Sequence, residues 1–471
     1  MEQARSQLLW GVGLGMAMGV ASLATLRPAA LWVALPLAVV LLAWWIVSGA
    51  ERWVLAFLAA AMLLPPLPLP GGNAGPHPAM LFAAIGVWAG VVRLLAWRIR
   101  WDFVSSALCF LLFALLLSVP WAALYSGWEV ALGSLARVGL FAISVYLFFY
   151  VAYGPGRDLG AERLIRLMFW AGFASAAFAC LDFYFQFPAP ARFAEQFVWL
   201  ATGVFRRAQG VFYEATTLGS FCTFLLVMIV SITALRQHRW LGLAPGSLAA
   251  AGLVLLAALI FSFSRSGIAS LVVALIALAW LERRQLRTAF RLSLAAGGGL
   301  IGGAALLSRF FPDFLTPYFQ RLWYTGQSLW SAPNLIFAPR LESWRLLLDY
   351  IAENPWRTVL GVGYKTLPYS EVLGRPVVAD NMYLSMLLET GWIGLAALLL
   401  LNIAVLVTSF RQARQTGLRR LLGVWMFCFW CGQMVQMLSG DILTYWRLLP
   451  LYFSVLALCV RADEHPVSGS I

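Results

Sequence analysis

The chain has 471 residues, 62% hydrophobic and 11% charged, whereas soluble domains carry about a quarter charged residues; an ordinary soluble globular protein is excluded. The formal net charge of +13 comes from basic residues scattered between apolar segments, with no basic stripe on one domain. That pattern points to membrane topology and not to a nucleic-acid partner.

Apolar segments of roughly 17 to 25 residues, each long enough to cross a ~30 Å hydrocarbon core as a helix, recur along the chain. The first, from Leu8 to about Leu26, follows Arg5 as a signal peptide would, but similar segments come after it and predict a retained helix. In chain order the predicted spans are 8–26, 31–48, 52–66, 79–97, 103–124, 131–153 and 163–186, then 212–235, 245–263, 266–281, 292–308, 382–409, 420–438 and 446–460. The expected fold class is therefore all-α: a polytopic transmembrane helical bundle of about 12–14 spans, divided into N-terminal helices (1–205), central helices (206–308), a loop (309–381) and C-terminal helices with a short tail (382–471).

Alternating the connections separates two sets. One is arginine-rich and short, with Arg5, Arg52, Arg93/Arg98/Arg100, Arg157/Arg163/Arg166, Arg236/Arg239, Arg283/Arg284/Arg287/Arg291, Arg411/Arg414/Arg419/Arg420 and Arg461; short loops of this kind face the cytoplasm. The other holds Pro65 to Pro78, Phe187 to Val211, the turn Ser264 to Ser266 and the long stretch Arg309 to Asp380. Both termini are then expected in the cytoplasm, with the second set facing the periplasm or exterior. The chain shows no internal repeat of the kind found in many transporters. The long stretch is the one sizeable polar segment, of a length that is usually functional. Within it, Arg340 to Ala352 has helical periodicity with Leu341, Trp344, Leu348 and Ile351 on one face, an amphipathic helix.

The six cysteines all fall in apolar segments. Cys428 and Cys431 form a mid-span C-x-x-C without a second pair or a histidine, so they are read as packing residues and not as a metal or redox site. The chain has no D-x-D, its three histidines are isolated, and no metal or other cofactor is expected. Of 33 basic residues one, Lys365, is lysine. Arg137, Arg206, Arg207 and Arg265 sit at or near span ends, where a charge is costly and marks a functional position unless it only snorkels. A planar guanidinium suits a lipid diphosphate. Asp380 and Asn381 open the span 382–409; Asp380 is either a helix N-cap, a general base for a sugar hydroxyl, or both. Glu389 lies deeper in that span and needs a partner, an arginine or a polar helix neighbour. Glu214 invites the same reading, with Arg207 or Arg265 as candidate partners.

Four ordered pieces between about Arg206 and Leu401 carry a resemblance. They are RAQGVFYEATTLGSF from Arg207, FSFSRSGIASL from Phe261, RLESWRLLLDYIAENPWRTVLGVGYKTL from Arg340 with Trp344, Pro355 and Gly361–Gly363, and DNMYLSMLLETGWIGL from Asp380. Together they resemble the O-antigen ligase and polymerase superfamily, membrane glycosyl transferases acting on undecaprenyl-diphosphate glycans. The resemblance implies a metal-independent inverting transfer at the periplasmic face. Arg207, Arg265 and Arg206 would grip the diphosphate, Asp380 with Asn381 would be catalytic, and Arg340, Glu214, Tyr383 and Glu389 would support or bind substrate. Ligases of this superfamily usually carry His where this chain has Asp380, and polymerases often show Asp-Asn there. The expectation is thus a surface or exopolysaccharide polymerase, with an O-antigen ligase acting on lipid A core as the alternative. The partners implied are the lipid-linked donor, a glycan or lipid A core acceptor, the bilayer and polysaccharide-assembly proteins. A polysaccharide or lipid transporter is the rival from another class, disfavoured because the motifs gather on one predicted face.

Overall fold

A computed structural model describes residues 44–45, 48–67, 76–189, 193, 195–200, 203–282, 309, 323 and 333–462. Thirteen α-helices and a single β-hairpin are found among the described residues. The helices are α1 (Arg52–Leu63), α2 (Pro78–Val92), α3 (Phe103–Ser126), α4 (Trp128–Ala152), α5 (Ala161–Phe185), α6 (Ala215–Ala234) and α7 (Pro245–Phe261). They continue with α8 (Arg265–Leu281), α9 (Pro333–Glu353), α10 (Arg357–Leu360), α11 (Met382–Ala413), α12 (Gly417–Gln436) and α13 (Leu449–Ala462). Between α5 and α6, β1 (Phe197–Leu200) and β2 (Gly203–Arg206) pair antiparallel with Phe197 opposite Arg206.

Five helices, α3, α4, α5, α6 and α11, are long and apolar enough to cross a membrane, and α1, α2, α7, α8 and α13 are shorter apolar helices. The protein is an all-α multi-pass membrane protein, as composition and periodicity predict. Eleven of the fourteen predicted spans correspond to α1–α8 and α11–α13. The segments 8–26 and 292–308 lie outside the described residues, and of 31–48 only 44, 45 and 48 are described.

The helix at the centre is α6, apolar on all sides and 89% buried within the bundle along its most apolar stretch, as a helix without a polar face must be. It packs on α7, α8 and α12, while α12 also meets α11 and α13. Close approach depends on small residues, the usual device where lipid provides no hydrophobic drive: a Cβ on Gly432 of α12 would lie 2.2 Å from the Ser270 carbonyl oxygen of α8. Trp425 and Trp430 are buried in the same region, and each donates its indole N–H, to the Phe224 carbonyl at 2.9 Å and to Asn402 Oδ1 at 3.1 Å.

Two irregularities shape the region between α9 and α11. Pro120 lies inside α3, where it cannot donate to the helix ladder, and the Gly361–Lys365 turn packs beside it, with the Tyr364 N–H on Ser118 Oγ at 3.1 Å. In α11 the helix is broken at Gly391, at φ 71° and ψ −170°. The freed carbonyls of Leu388 and Glu389 accept from the N–H groups of Val362 (3.0 Å) and Gly363 (2.9 Å). A broken helix inside an apolar element is tolerated where neighbouring protein satisfies the backbone in this way. A Cβ on Gly391 would stand 2.2 Å from the Val359 carbonyl oxygen, so both the φ and the contact require glycine there.

The connection from α9 to α11 has its own small core, built from Leu347, Val362, Leu367, Val377, Ala379 and Leu388. The expected amphipathic helix is α9, with one correction. Leu347 is fully buried and Ile351 packs with it, whereas Leu348 is 50% exposed. The inward stripe keeps Trp344 and Ile351 and takes Leu347 in place of Leu348, because the helix is gripped from the Ala379 side, where Trp344 donates its indole N–H to the Ala379 carbonyl at 2.7 Å.

Candidate active site

Hydrogen bonds tie one set of helix ends together. The Ala208 N–H, ahead of α6, donates to the Phe261 carbonyl at the end of α7, and the Met382 N–H at the start of α11 donates to the Met437 carbonyl after α12. Arg447, ahead of α13, donates to the carbonyls of Ala61 and Leu64 at the end of α1 and to Val211. Arg207 precedes the first of these contacts and Arg265 follows it, and Asp380 and Asn381 precede the second.

On the α6–α8 side, neighbouring arginines have different fates. Arg206 is 4% exposed and turns inward, 3.5 Å from Asp182 Oδ1 and 3.9 Å from Glu195. Asp182, at the end of α5, also accepts the N–H groups of Gln209 and Gly210 at 3.2 and 2.9 Å. Arg206 therefore fastens the hairpin to α5 and does not snorkel. Arg207 instead donates its Nε–H to the Ser262 carbonyl at 2.8 Å, which sets it against the α7–α8 turn. In that turn Ser264 caps α8, accepting the Gly267 N–H at 3.1 Å, and Arg265 is the exposed first residue of the helix. Arg207 and Arg265 are thus brought to one turn, at a helix N-terminus whose backbone N–H groups and dipole favour an anion. Glu214 stands at the N-cap position of α6, and its two carboxylate oxygens accept the hydroxyls of Thr216 (2.9 Å) and Thr217 (2.6 Å).

On the α9–α11 side, Arg340 Nε lies 3.1 Å from Asp380 Oδ2. The pair lines a cleft of about 300 Å³ with Glu342, Ser343, Arg375 and the Pro376–Val378 backbone, and Arg375 pairs with Glu342 at 2.6 Å across it. The Asp380 side chain is 42% exposed, open to an incoming hydroxyl. The N-cap of α11 is Asn381, not Asp380: its Oδ1 accepts from Tyr383 and Leu384 at 3.0 and 3.2 Å. With the cap supplied by the next residue, the Asp380 carboxylate is left to Arg340. Asp380 itself sits in the left-handed region, φ 45°, which Asp tolerates better than most residues. Tyr383 turns away from the cleft, its hydroxyl donating to the Met434 carbonyl at 3.3 Å.

Glu389 has the partner that its depth requires. It is 1% exposed, accepts from Ser385 Oγ at 3.0 Å and from the Leu367 N–H at 3.4 Å, and sits near Lys365. Lys365 in turn pairs with Asp441. Although burial opposes its charge, Asp441 and Glu389 together hold the Lys365 ammonium above the ordinary lysine range. One lysine therefore joins the Gly361–Lys365 turn, the break in α11 and the α12–α13 connection. Arg137, half-buried on α4, stacks over Tyr369 of the same loop at 4.5 Å.

Sequence reasoning missed several of these charges, Asp182, Arg447 and Asp441 among them. Arg447 lies inside a predicted span and was countable there as an in-span arginine, while Asp441 is visible only as a polar break between α12 and α13. Among the described residues, no group of three or more His, Cys, Asp or Glu side chains is placed to hold a metal ion.

Residues 249–399 match the protein family described as O-antigen ligase. The matched segment runs from α7 into α11 and contains Arg265, Arg340, Asp380, Asn381, Tyr383 and Glu389; Arg206, Arg207 and Glu214 precede it. It bears out the resemblance to the O-antigen ligase and polymerase superfamily, a family of glycan transferases. The chain matches no curated protein.

Proposed function

We propose, for a multi-pass membrane protein whose residues 249–399 carry an O-antigen ligase domain, that the chain joins undecaprenyl-diphosphate-linked glycans at the periplasmic face of the bacterial inner membrane. The observation that carries this reading is the half-exposed Asp380 carboxylate, oriented by Arg340 at 3.1 Å, on the same end of the bundle as Arg207 and Arg265.

In the proposed transfer the acceptor sugar hydroxyl occupies the cleft and gives its proton to Asp380. Its oxygen attacks the anomeric carbon from the face opposite the diphosphate, so the new glycosidic bond forms with inversion. The bond from that carbon to the diphosphate oxygen breaks, and the electron pair leaves on the diphosphate. Arg207 and Arg265, with the α8 N-terminus, stabilise the charge that develops there; donors placed where charge appears are commonly the largest contribution to such a step. The remaining rate gain comes from holding two large lipid-anchored substrates in line.

The acceptor on this reading is a sugar of a second lipid-linked glycan, which makes the protein a polysaccharide polymerase; Asp380–Asn381 in place of a histidine pattern supports that choice. The description of the matched family as O-antigen ligase favours a second reading, transfer to lipid A core. Deleting the gene and complementing with wild type or Asp380→Ala, then running surface lipopolysaccharide and secreted polysaccharide on gels, separates them. Loss of long-chain or secreted polymer with intact core lipopolysaccharide is the polymerase outcome. Accumulated lipid-linked polymer with bare core is the ligase outcome. Normal products with Asp380→Ala would remove that residue from the mechanism.

A further inference from the structure

The Thr444–Arg447 segment faces the N-terminal end of α6 across a cavity of about 250 Å³. Aromatic rings wall it: Tyr213, stacked on Phe193 with centroids 4.9 Å apart, Tyr445 and Trp446. Tyr213 is held in the left-handed region, φ 55°, a conformation that a bulky residue keeps only where its surroundings impose it. Trp446 is fixed from behind by the edge of His77 at 5.2 Å.

Polar groups enter the same small volume. Glu214 and Thr217 contribute a carboxylate and a hydroxyl, and Gln196 contributes its side-chain amide, whose Oε1 accepts the Ala215 N–H at 3.1 Å. Arg447 forms part of the lining and is 6% exposed. Three backbone carbonyls hold it, and its guanidinium lies 4.6 Å from the Phe212 ring centroid. Among the described residues no carboxylate lies within 4 Å of it, so its positive charge stands beside the cavity without a neutralising partner.

This combination discriminates between ligands. A hydrocarbon tail would cover Glu214 and Gln196 without giving them hydrogen bonds, which is costly. A phosphate would meet the Glu214 carboxylate, and like charges at close range repel, while the Arg447 guanidinium that would offset this is already donating to three backbone carbonyls. A sugar ring has apolar C–H faces for Tyr213 and Trp446 and a rim of hydroxyls for Glu214, Gln196 and Thr217. The volume is smaller than the roughly 300–1,000 Å³ typical of pockets for drug-sized ligands, and so suits one ring and not a chain. The Gln196 carbonyl accepts the Arg207 N–H at 2.8 Å, which sets the cavity directly beside an arginine assigned to the diphosphate.

We propose that this cavity is the subsite for the sugar ring attached to the lipid diphosphate, with Tyr213 and Trp446 against its faces and Glu214 and Gln196 on its hydroxyls. The inference rests on the lipid-linked reading above.

The test is equilibrium binding to the purified full chain in detergent, with undecaprenyl diphosphate, undecaprenyl-diphosphate glucose and undecaprenyl-diphosphate N-acetylglucosamine as probes. Wild type is expected to bind at least one sugar-bearing lipid about tenfold tighter than the bare diphosphate, the gain of a few well-placed contacts. Trp446→Ala and Glu214→Gln should each erase that preference while changing affinity for the bare lipid by less than about twofold. Glu214→Gln preserves shape and carries the test alone if Trp446→Ala does not yield a monodisperse protein. No preference in wild type, or an equal loss for all three lipids in the variants, overturns the subsite and leaves the lipid-linked reading standing. Failure of wild type to bind any of the three overturns both.

Discussion

The two charged regions at the motif-bearing end are built on different principles. Around α6–α8, two arginines are consumed by structure, Arg206 by Asp182 and Arg447 by three carbonyls, and they frame the turn at which Arg207 and Arg265 meet. Around α9–α11, the Arg340–Asp380 pair rests on a separate small core and stays partly open, with the two side chains 31% and 42% exposed. The first region holds a site in shape; the second offers a group able to exchange a proton. An arginine near a span end thus has a role that depends on what its guanidinium meets, and Arg206 and Arg207, adjacent in the chain, differ for that reason alone.

The largest effect expected from breaking this contrast is on chemistry. Asp380→Ala should lower polymer or ligation product by about 10²–10⁴-fold, the usual range for losing a general base, with unchanged expression and thermal stability. Unaltered turnover in a purified assay would assign the open pair to structure instead. Arg265→Ala should cost about 10²–10³-fold, as for removal of one group stabilising developing charge, again without loss of fold.

Stability effects come next. Lys365→Met leaves Asp441 and Glu389 buried without their cation, and should destabilise the protein by about 3–5 kcal/mol, the range for breaking a buried pair, read as a fall in thermal unfolding temperature. Because Lys365 is the one lysine of the chain, an amine-reactive reagent has just this side chain and the N-terminus to label. Slow labelling in wild type that accelerates in Asp441→Asn would show that the ion pair keeps the turn closed; equal rates would show that it does not. Gly391→Ala should cost on the order of 2 kcal/mol, from an unfavourable φ and the close Val359 carbonyl.

A pH dependence is expected as well. His77 accepts the Ala79 N–H on Nδ1 and its Nε2 bonds the Leu64 carbonyl at 2.8 Å; that arrangement needs the neutral ring. Burial, and then the charge of Arg447, push its pKa from 6.5 down to about 4. The folded state therefore binds the proton less well than the unfolded state, so its contribution to stability is complete above pH 6.5 and is lost as pH falls toward 4. A decline of up to about 3 kcal/mol between those limits, absent in His77→Gln, is the expected result. Identical pH profiles for the two proteins would remove His77 from the acid response.

Much of the architecture was legible because its signals are local. Long apolar runs bounded by arginine or proline predict α1–α8 and α11–α13 to within a few residues, since a span must satisfy its own backbone wherever it stands. The motif order from Arg207 to Glu389 likewise anticipated the family. One position of the α9 stripe was misread because an exposed and a buried leucine, Leu348 and Leu347, are adjacent and only the packing partner chooses between them.

The amino-acid sequence by itself determined that this is a multi-pass helical membrane protein, because hydrophobicity and charge act residue by residue along the chain. Only the tertiary structure decided that Asn381 caps α11 and releases Asp380 to Arg340, that Arg206 is spent on Asp182, and that Lys365 meets Asp441 and Glu389. Those outcomes depend on which distant segments meet at one end of the bundle. Inside a low-dielectric interior a charge takes its role from its nearest partner, and partners 40 or 76 residues apart, as Arg340–Asp380 and Lys365–Asp441 are, leave no local trace.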